Sequence, residues 1–140
     1  MRKLDIRKLS ESKLVFLKDD NVLFKLGAIA ISFGGKVYIK DSYWKYLDGN
    51  YYAKEALLVH EYVHLEQQRL QGKIWYVKYV LSKSFRYKQE IFAYKEELKY
   101  RISIGENKQE LLETFAEFLS GKMYLYMIDF LTAYKDLEKE

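Results

Sequence analysis

Cysteine and proline are both missing from this chain of 140 residues, and histidine occurs only twice. Without cysteine the protein forms no disulfide bond and offers no thiolate to a metal ion, so any metal site must use histidine or oxygen ligands. Without proline, the breaks between secondary-structure elements have to be read from glycine and from clusters of aspartate and asparagine.

Long apolar segments are missing as well. The stretch "LGAIAISF" is too short to span a bilayer, and "FLSGKMYLYMIDFL" contains Lys122 and Asp129. The basic start, "MRKLDIRKLSESKLVF", resembles the first part of a signal peptide, but Lys18, Asp19 and Asp20 interrupt the apolar segment that should follow. We therefore expect a cytoplasmic protein that has no membrane partner.

The remaining composition is typical of a folded domain. Hydrophobic residues make up 49% of the chain and charged residues 31%, and this balance, with the length, favours one domain over residues 1–140. The net charge of +4 is concentrated in residues 1–18, which carry six basic and two acidic side chains. A solvated helix surface explains this basic end better than nucleic-acid binding does, because no known nucleic-acid motif accompanies it.

The first third of the chain favours a small sheet. Residues 3–13 are weakly helical, whereas residues 22–26 and 28–33 favour β-structure. The stretch "ISFGGKVYIK" predicts a hairpin, because Gly34 and Gly35 supply the positive φ angles of a tight turn between alternating apolar and polar residues.

Helical periodicity follows a predicted turn at 48–50. Gly72 is expected to end the first helix, and Gly121 to separate the last two. The five predicted helices cover residues 53–71, 73–82, 87–103, 107–119 and roughly 122–137. We therefore expect an α+β fold dominated by helices, in which a small N-terminal sheet or hairpin precedes four to five helices.

Both histidines lie in one short motif, "HEYVH", residues 60–64. At ~100° per residue, His60 and His64 lie ~40° apart on one helix face, so two imidazoles can reach one zinc ion. Glu61 lies to the side, where it can hydrogen-bond a zinc-bound water and accept its proton. Two ordinary structural histidines are the alternative, but the scarcity of histidine favours a metal site.

A zinc site of this kind needs a third protein ligand, and here it must be an aspartate or a glutamate. The candidates in the predicted helix over 87–103 are Glu90, Glu96 and Glu97. Glu90 is preferred because Ala93 and Tyr94 follow it on the same face, and a small residue at 93 lets two helices approach closely. Glu96 and Glu97 stand among lysines, so we expect them on a solvated surface.

The stretch "HEYVHLEQQ", followed after an aromatic helix by "YKQEIFAY", resembles the small gluzincin metallopeptidase-like proteins, which carry H-E-x-x-H-x-x-Q and then E-x-x-A-Y. It is also similar to the archaeal minigluzincins, which are compact zincin cores without a separate C-terminal domain. The resemblance covers residues 57–97. It implies a zincin-like fold and one Zn²⁺ per chain, held by the two histidines and Glu90. It also implies Glu61 as the general base and Gln67 as a supporting residue on the histidine face.

These features together predict a zinc-dependent metallopeptidase that cleaves a peptide or protein substrate. Tyr94 is a candidate for stabilising the developing oxyanion, although an aromatic side chain at such a position more often serves packing. The substrate can bind as an added strand along an edge near residues 28–40, or that hairpin simply covers the helices. The alternative function is a latent or inactive zinc-binding structural or interaction protein of the same fold. In that case the helices over 107–137 either cover the site or form the core.

Overall fold

The computed structural model of the protein describes residues 13–24 and 27–139. The described chain contains a three-stranded sheet formed by β1 (Leu14–Leu17), β2 (Ala30–Phe33) and β3 (Lys36–Lys40). Its helices are α1 (Asp41–Tyr46), α2 (Tyr51–Gln71), α3 (Ile74–Leu81), α4 (Lys83–Ser103), α5 (Lys108–Ser120) and α6 (Phe130–Glu138). This is the helix-dominant α+β fold expected from the sequence. There are six helices instead of four to five because α1 was not predicted.

The sheet is built around β3, which lies between the other two strands in the order β1-β3-β2. The predicted hairpin is confirmed, since β2 pairs antiparallel with β3 and both Gly34 (φ 57°) and Gly35 (φ 80°) adopt the positive φ angles that the turn requires. Val37 and Ile39 alternate with polar neighbours and are fully buried. They pack with Leu47 and Leu57, so one face of the sheet rests on α2.

Two features before the hairpin differ from the sequence prediction. Residues 22–24 form a short 3-10 turn and not a strand, because Asn21 accepts the N–H of Leu23 through its side chain and that of Phe24 through its carbonyl. Strand β1 was not predicted. It pairs parallel with β3, which is a long-range partner that local sequence does not reveal. The helix predicted over residues 3–13 lies outside the described residues apart from Lys13.

The predicted helices over 53–71, 73–82, 87–103 and 107–119 correspond to α2, α3, α4 and α5. Gly72 ends α2 with φ 70°, as predicted, and α4 begins four residues early because Ser82 caps it by accepting the N–H of Phe85. The helix predicted over roughly 122–137 is confirmed only from residue 130 onward and is wrong before that. Residues 122–124 form a 3-10 turn, Leu125 and Tyr126 adopt left-handed φ angles of 58° and 54°, and α6 begins only at residue 130.

The larger hydrophobic core lies among α4, α5 and α6. Its buried members include Leu98, Leu112, Phe115, Leu119 and Leu137. This confirms that the predicted helical region over 107–137 contributes to the core. No helix among residues 13–24 and 27–139 combines the length and the apolar character needed to cross a bilayer.

Candidate metal centre

The two histidines and Glu90 meet between α2 and α4. His60 and His64 lie one turn apart on the inner face of α2, and Glu90 lies on the facing side of α4 next to the fully buried Ala93. All three site residues are buried, with 5%, 5% and 3% of their surface exposed. One possible ligand atom from each falls within 4.8 Å of the other two, so the three side chains form a group that can hold one metal ion.

The candidate ligand atoms lie closer together than 4.8 Å. His60 Nε2 lies 3.2 Å from Glu90 Oε2, and His64 Nε2 lies 3.0 Å from Glu90 Oε1. The two Nε2 atoms are themselves 3.2 Å apart, with the rings at 74° to each other. The Glu90 carboxylate therefore spans both imidazoles.

The hydrogen bond to the outer nitrogen of His64, Nδ1, determines which ring nitrogen carries the hydrogen. Gln67 donates its Nε2–H to the Gln89 carbonyl over 3.1 Å, which turns its Oε1 towards His64 Nδ1 at 2.9 Å. Because an amide oxygen only accepts, Nδ1 of His64 carries the hydrogen and Nε2 presents its lone pair to the site. The predicted supporting position of Gln67 is therefore confirmed.

Glu97 lies beside the corresponding nitrogen of His60 but does not form a hydrogen bond of good geometry with it. Its Oε1 lies 3.1 Å from His60 Nδ1, although at an angle that departs from that of a linear hydrogen bond, and its Oε2 accepts Arg101 Nε over 2.7 Å. Only 6% of Glu97 is exposed, so the prediction of a solvated position is wrong for this residue. Glu96 is different, since its partly exposed side chain pairs with Lys99.

The convergence of acceptor atoms makes this a site for positive charge. Burial by itself would lower the pKa of His60, but Glu90 and Glu97 outweigh it and raise that pKa well above its usual value. The pKa of His64 is also raised, because Glu90 outweighs the effect of burial. Burial would raise the pKa of Glu90, yet the two imidazoles hold it far below its usual range. In the absence of a metal ion the site therefore favours a bound proton, and a divalent cation satisfies the same lone pairs.

A tyrosine on α3 completes the surroundings of Glu90. Tyr79 donates its hydroxyl hydrogen to Glu90 Oε1 over 2.6 Å. Burial and the Glu90 charge both raise the pKa of Tyr79 well above its usual value, so the phenol stays protonated and remains a donor. The Glu90 carboxylate is thus oriented by a hydrogen bond from a different helix, as is common for carboxylates that bind metals.

Glu61 lies on α2 beside the histidines and is buried, with 6% of its surface exposed. Ser32 of β2 donates its hydroxyl hydrogen at 2.7 Å from Glu61 Oε2 and 2.9 Å from the Glu61 backbone oxygen. Gln68, two turns further along α2, donates to the Ser32 carbonyl over 2.9 Å. Strand β2 therefore holds the candidate general base in place.

A cavity of about 710 Å³ opens onto this site. His60 and Glu61 line it, whereas His64 and Glu90 lie behind them. Its other walls come from the start of β2, from α4 and from α5 with the 3-10 turn that follows. The lining residues of these walls include Ile29, Ala30, Tyr94, Phe115, Met123 and Tyr124.

Tyr94 reaches this cavity but also packs. Its ring lies 4.3 Å from the His60 ring and 4.9 Å from the Phe115 ring, measured between centroids. Its hydroxyl lies 2.8 Å from that of Tyr124. Burial raises the pKa of both phenols well above its usual value. Both hydroxyls stay protonated. One of them donates its hydrogen to the other, so the pair has one hydroxyl hydrogen left for an acceptor at the cavity wall.

Three further residues contact this site. The sequence analysis assigned Glu97 to a solvated surface and did not identify Tyr79 or Ser32. Glu97 stands seven residues after Glu90, which is ~20° away on a helix, so periodicity could have found it. Tyr79 and Ser32 come from other elements and leave no local signal. No protein-family model matches this chain, and no curated protein or solved structure matches it either.

Proposed function

We propose that the protein is a zinc-dependent metallopeptidase whose metal is held by His60, His64 and Glu90. The observation that supports this most directly is the convergence of two Nε2 lone pairs and one carboxylate within 3.0–3.2 Å of one another, in a buried site. Two histidines and one glutamate form a known ligand set of catalytic zinc sites, in which a fourth position stays open. That position is expected on the cavity side, where His60 is accessible.

The residues around this position suit hydrolysis. A bound zinc ion supplies Lewis acidity and lowers the pKa of a coordinated water towards ~7. Glu61 faces the same cavity, and the Ser32 hydroxyl occupies its Oε2, which leaves Oε1 to accept a proton. Because one of the Tyr94 and Tyr124 hydroxyls donates to the other, the pair keeps one hydrogen, which can stabilise negative charge developing on a carbonyl oxygen.

Within the described residues β2 pairs only with β3, and its other edge suits an extended peptide near Ala30. Lys40 donates its N–H to the Ile29 carbonyl over 2.9 Å, and because hydrogen bonding alternates along an antiparallel pair, the N–H and C=O of Ala30 turn away from β3. Ile29 and Ala30 both line the cavity. A substrate strand that pairs with Ala30 would therefore pass close to His60 and Glu61.

Zinc analysis and a peptide-cleavage assay test this proposal. The protein purified without a metal-binding tag should carry one zinc per chain, and Glu61→Gln should abolish cleavage while the zinc is retained. Glu90→Gln should lose both. Glu96→Gln is the matched control, because its side chain pairs with Lys99 away from the site, and it should retain both. Cleavage that survives Glu61→Gln, or a wild-type protein that binds no zinc, contradicts the proposal.

A second candidate function is a latent zinc protein, and the contact between Tyr94 and Tyr124 favours it. Tyr124 and Met123 lie in the 3-10 turn that walls the cavity. Removing everything after Gly121 would also remove Met127, Ala133 and Leu137 from the core, so point variants are the better test. Cleavage that appears only in a Met123→Ala, Tyr124→Ala double variant indicates latency. No cleavage in either protein, with zinc bound in both, indicates a structural metal.

A further inference from the structure

The outward face of α3 is apolar, which is the reverse of an ordinary surface helix. On this helix of eight residues, Trp75 points inward and is 5% exposed, whereas Val80 and Leu81 are 71% and 79% exposed. Ile74 and Val77 are each 51% exposed. At ~100° per residue Ile74, Val77 and Leu81 fall within ~60° of one another, so they form one continuous stripe.

The tip of the hairpin extends this stripe. Phe33 is 55% exposed, and its ring lies 4.9 Å from the Tyr76 ring of α3. The Gly34 N–H donates to the Tyr76 hydroxyl over 3.0 Å, which fixes the tip beside the helix. Leu70, at the end of α2, is 72% exposed as well. We call the exposed residues Phe33, Leu70, Ile74, Val77, Val80 and Leu81 the α3 surface.

The charge around the α3 surface has one sign. Between Glu66 and Glu90 the chain has no acidic residue, but it has six basic ones, Arg69, Lys73, Lys78, Lys83, Arg86 and Lys88. Arg86 is buried, where it donates to the carbonyls of Tyr79 and Val80, and Arg69 pairs with Glu66. Lys73, Lys78 and Lys83 are exposed, and none of them forms an ion pair with a described residue. Three uncompensated ammonium groups therefore border the apolar stripe.

We propose that the α3 surface docks the protein onto an anionic lipid bilayer, with α3 lying in the plane of the interface. Aliphatic side chains can enter the boundary of the acyl chains while the lysines contact acidic headgroups. This differs from the expectation that the protein has no membrane partner, and it involves no spanning segment, because α3 has only eight residues. It is independent of the proposed metal site.

Other occupants fit the surface less well. A second copy presenting the same surface would bring its lysines against these lysines, which like-charge repulsion disfavours. Nucleic acid would use the lysines for its phosphates but would leave the exposed aliphatic side chains without an apolar partner, and Phe33 is the one aromatic ring among the six residues of the α3 surface. Protein partners favour aromatic anchors that fill pockets, whereas this stripe lies on the outside of a single helix.

Sedimentation of the full chain with lipid vesicles tests the proposal. We expect binding to vesicles in which roughly a third of the lipid is phosphatidylserine, and little binding to pure phosphatidylcholine. Lys78→Gln with Lys83→Gln should weaken the partition coefficient by about fivefold for each lysine. Val77→Gln with Leu81→Gln should weaken it by about tenfold or more.

The matched control is Val22→Gln with Leu131→Gln, two side chains that are each 66% exposed elsewhere. This variant should bind the vesicles as the wild type does. The basic residues 1–18 are unchanged in every variant. A loss of binding seen only in the α3 variants therefore cannot be due to those residues. Equal binding by the α3 variants and the control would overturn the proposal.

Because the chain has no cysteine, one introduced cysteine can report the orientation. A polarity-sensitive dye on Val80→Cys should shift to shorter wavelength with anionic vesicles, whereas the same dye on Leu131→Cys should not. A dye response at position 80 that follows protein concentration and ignores vesicles would mean that another protein chain occupies the surface. That result would overturn the bilayer proposal, as would an equal shift at both positions.

Discussion

Glu97→Gln is the most informative single change near the candidate metal centre, because it removes one charge without changing the shape of the side chain. In the wild type, Glu97 Oε1 lies 3.1 Å from His60 Nδ1 and Oε2 accepts Arg101 Nε over 2.7 Å. A carboxylate can accept from both neighbours at once. An amide cannot, because one of its two ends is an NH₂ donor. In either orientation the glutamine therefore places a donor against His60 Nδ1 or against Arg101.

The expected magnitude follows from this conflict. Loss of the partner that orients a metal-ligating histidine typically weakens metal affinity by about 10–100-fold, or ~1.4–2.7 kcal/mol. We expect the upper half of that range, because Glu97 is only 6% exposed and water has little access to relieve the donor–donor contact. The metal-free protein should lose ~1–3 kcal/mol of unfolding free energy, because a buried donor is left without an acceptor. The loss should not be larger, because Arg101 keeps its contacts with Glu106 at 3.2 Å.

Zinc affinity measured by competition with a chromophoric chelator is the direct assay. Glu106→Gln is the matched control, because it removes the outer carboxylate from the same arginine and does not contact His60. Its zinc affinity should stay within about twofold of the wild type, as expected for a partly exposed pair. The reasoning is refuted if Glu97→Gln binds zinc as tightly as the wild type, or if Glu106→Gln loses as much affinity.

Three further changes address other parts of the molecule. Tyr79→Phe removes the 2.6 Å hydrogen bond to Glu90 Oε1 and should weaken zinc binding by up to about tenfold in the same competition assay. Leu119→Ala empties a fully buried position and should lower the free energy of unfolding in urea by about 2–5 kcal/mol. Tyr87→Phe removes a 2.6 Å hydrogen bond from α4 to Asp136 of α6 and should cost ~1 kcal/mol at neutral pH. Because that bond holds the pKa of Asp136 below its usual value, the stabilisation is present above the unfolded carboxyl pKa and is lost as pH falls through the lowered one. Urea unfolding at a series of pH values should show the difference between the two proteins shrinking in acid.

The three candidate ligands could be predicted because the position of each on the face of its own helix follows from helical geometry. His60 and His64 share a face through their spacing of four, and Glu90 shares a face with Ala93 and Tyr94 for the same reason. The structure brings all three together. What the sequence could not provide was the facing of α2 against α4, which depends on packing between residues distant in the chain.

Glu97 shows how a usable signal can be overlooked. Its lysine neighbours Lys95 and Lys99 suggested a solvated surface, but neighbours on a helix point in other directions. The angle of ~20° between positions 90 and 97 was the better guide, because a residue two turns from a buried ligand faces the same partner helix. Ser32 and Tyr79 are different, since they reach the site from a strand and from α3 and no pattern within α2 or α4 predicts them.

The cavity wall depends on a break that the local pattern hides. The stretch "MYLYMIDFL" has no glycine or proline and favours a continuous helix, yet Leu125 and Tyr126 adopt left-handed angles at a cost of ~1–2 kcal/mol each. Helix α6 begins after this break, and Asp129 is its N-cap, since its side chain accepts the Thr132 N–H over 2.9 Å. The break lets the 3-10 turn place the Tyr124 hydroxyl 2.8 Å from that of Tyr94, while α6 folds back onto the core. The ligand atoms are thus set by regular helices, but access to them is set by an irregular turn, so substrate access should be more sensitive to substitutions at 121–127 than metal binding is.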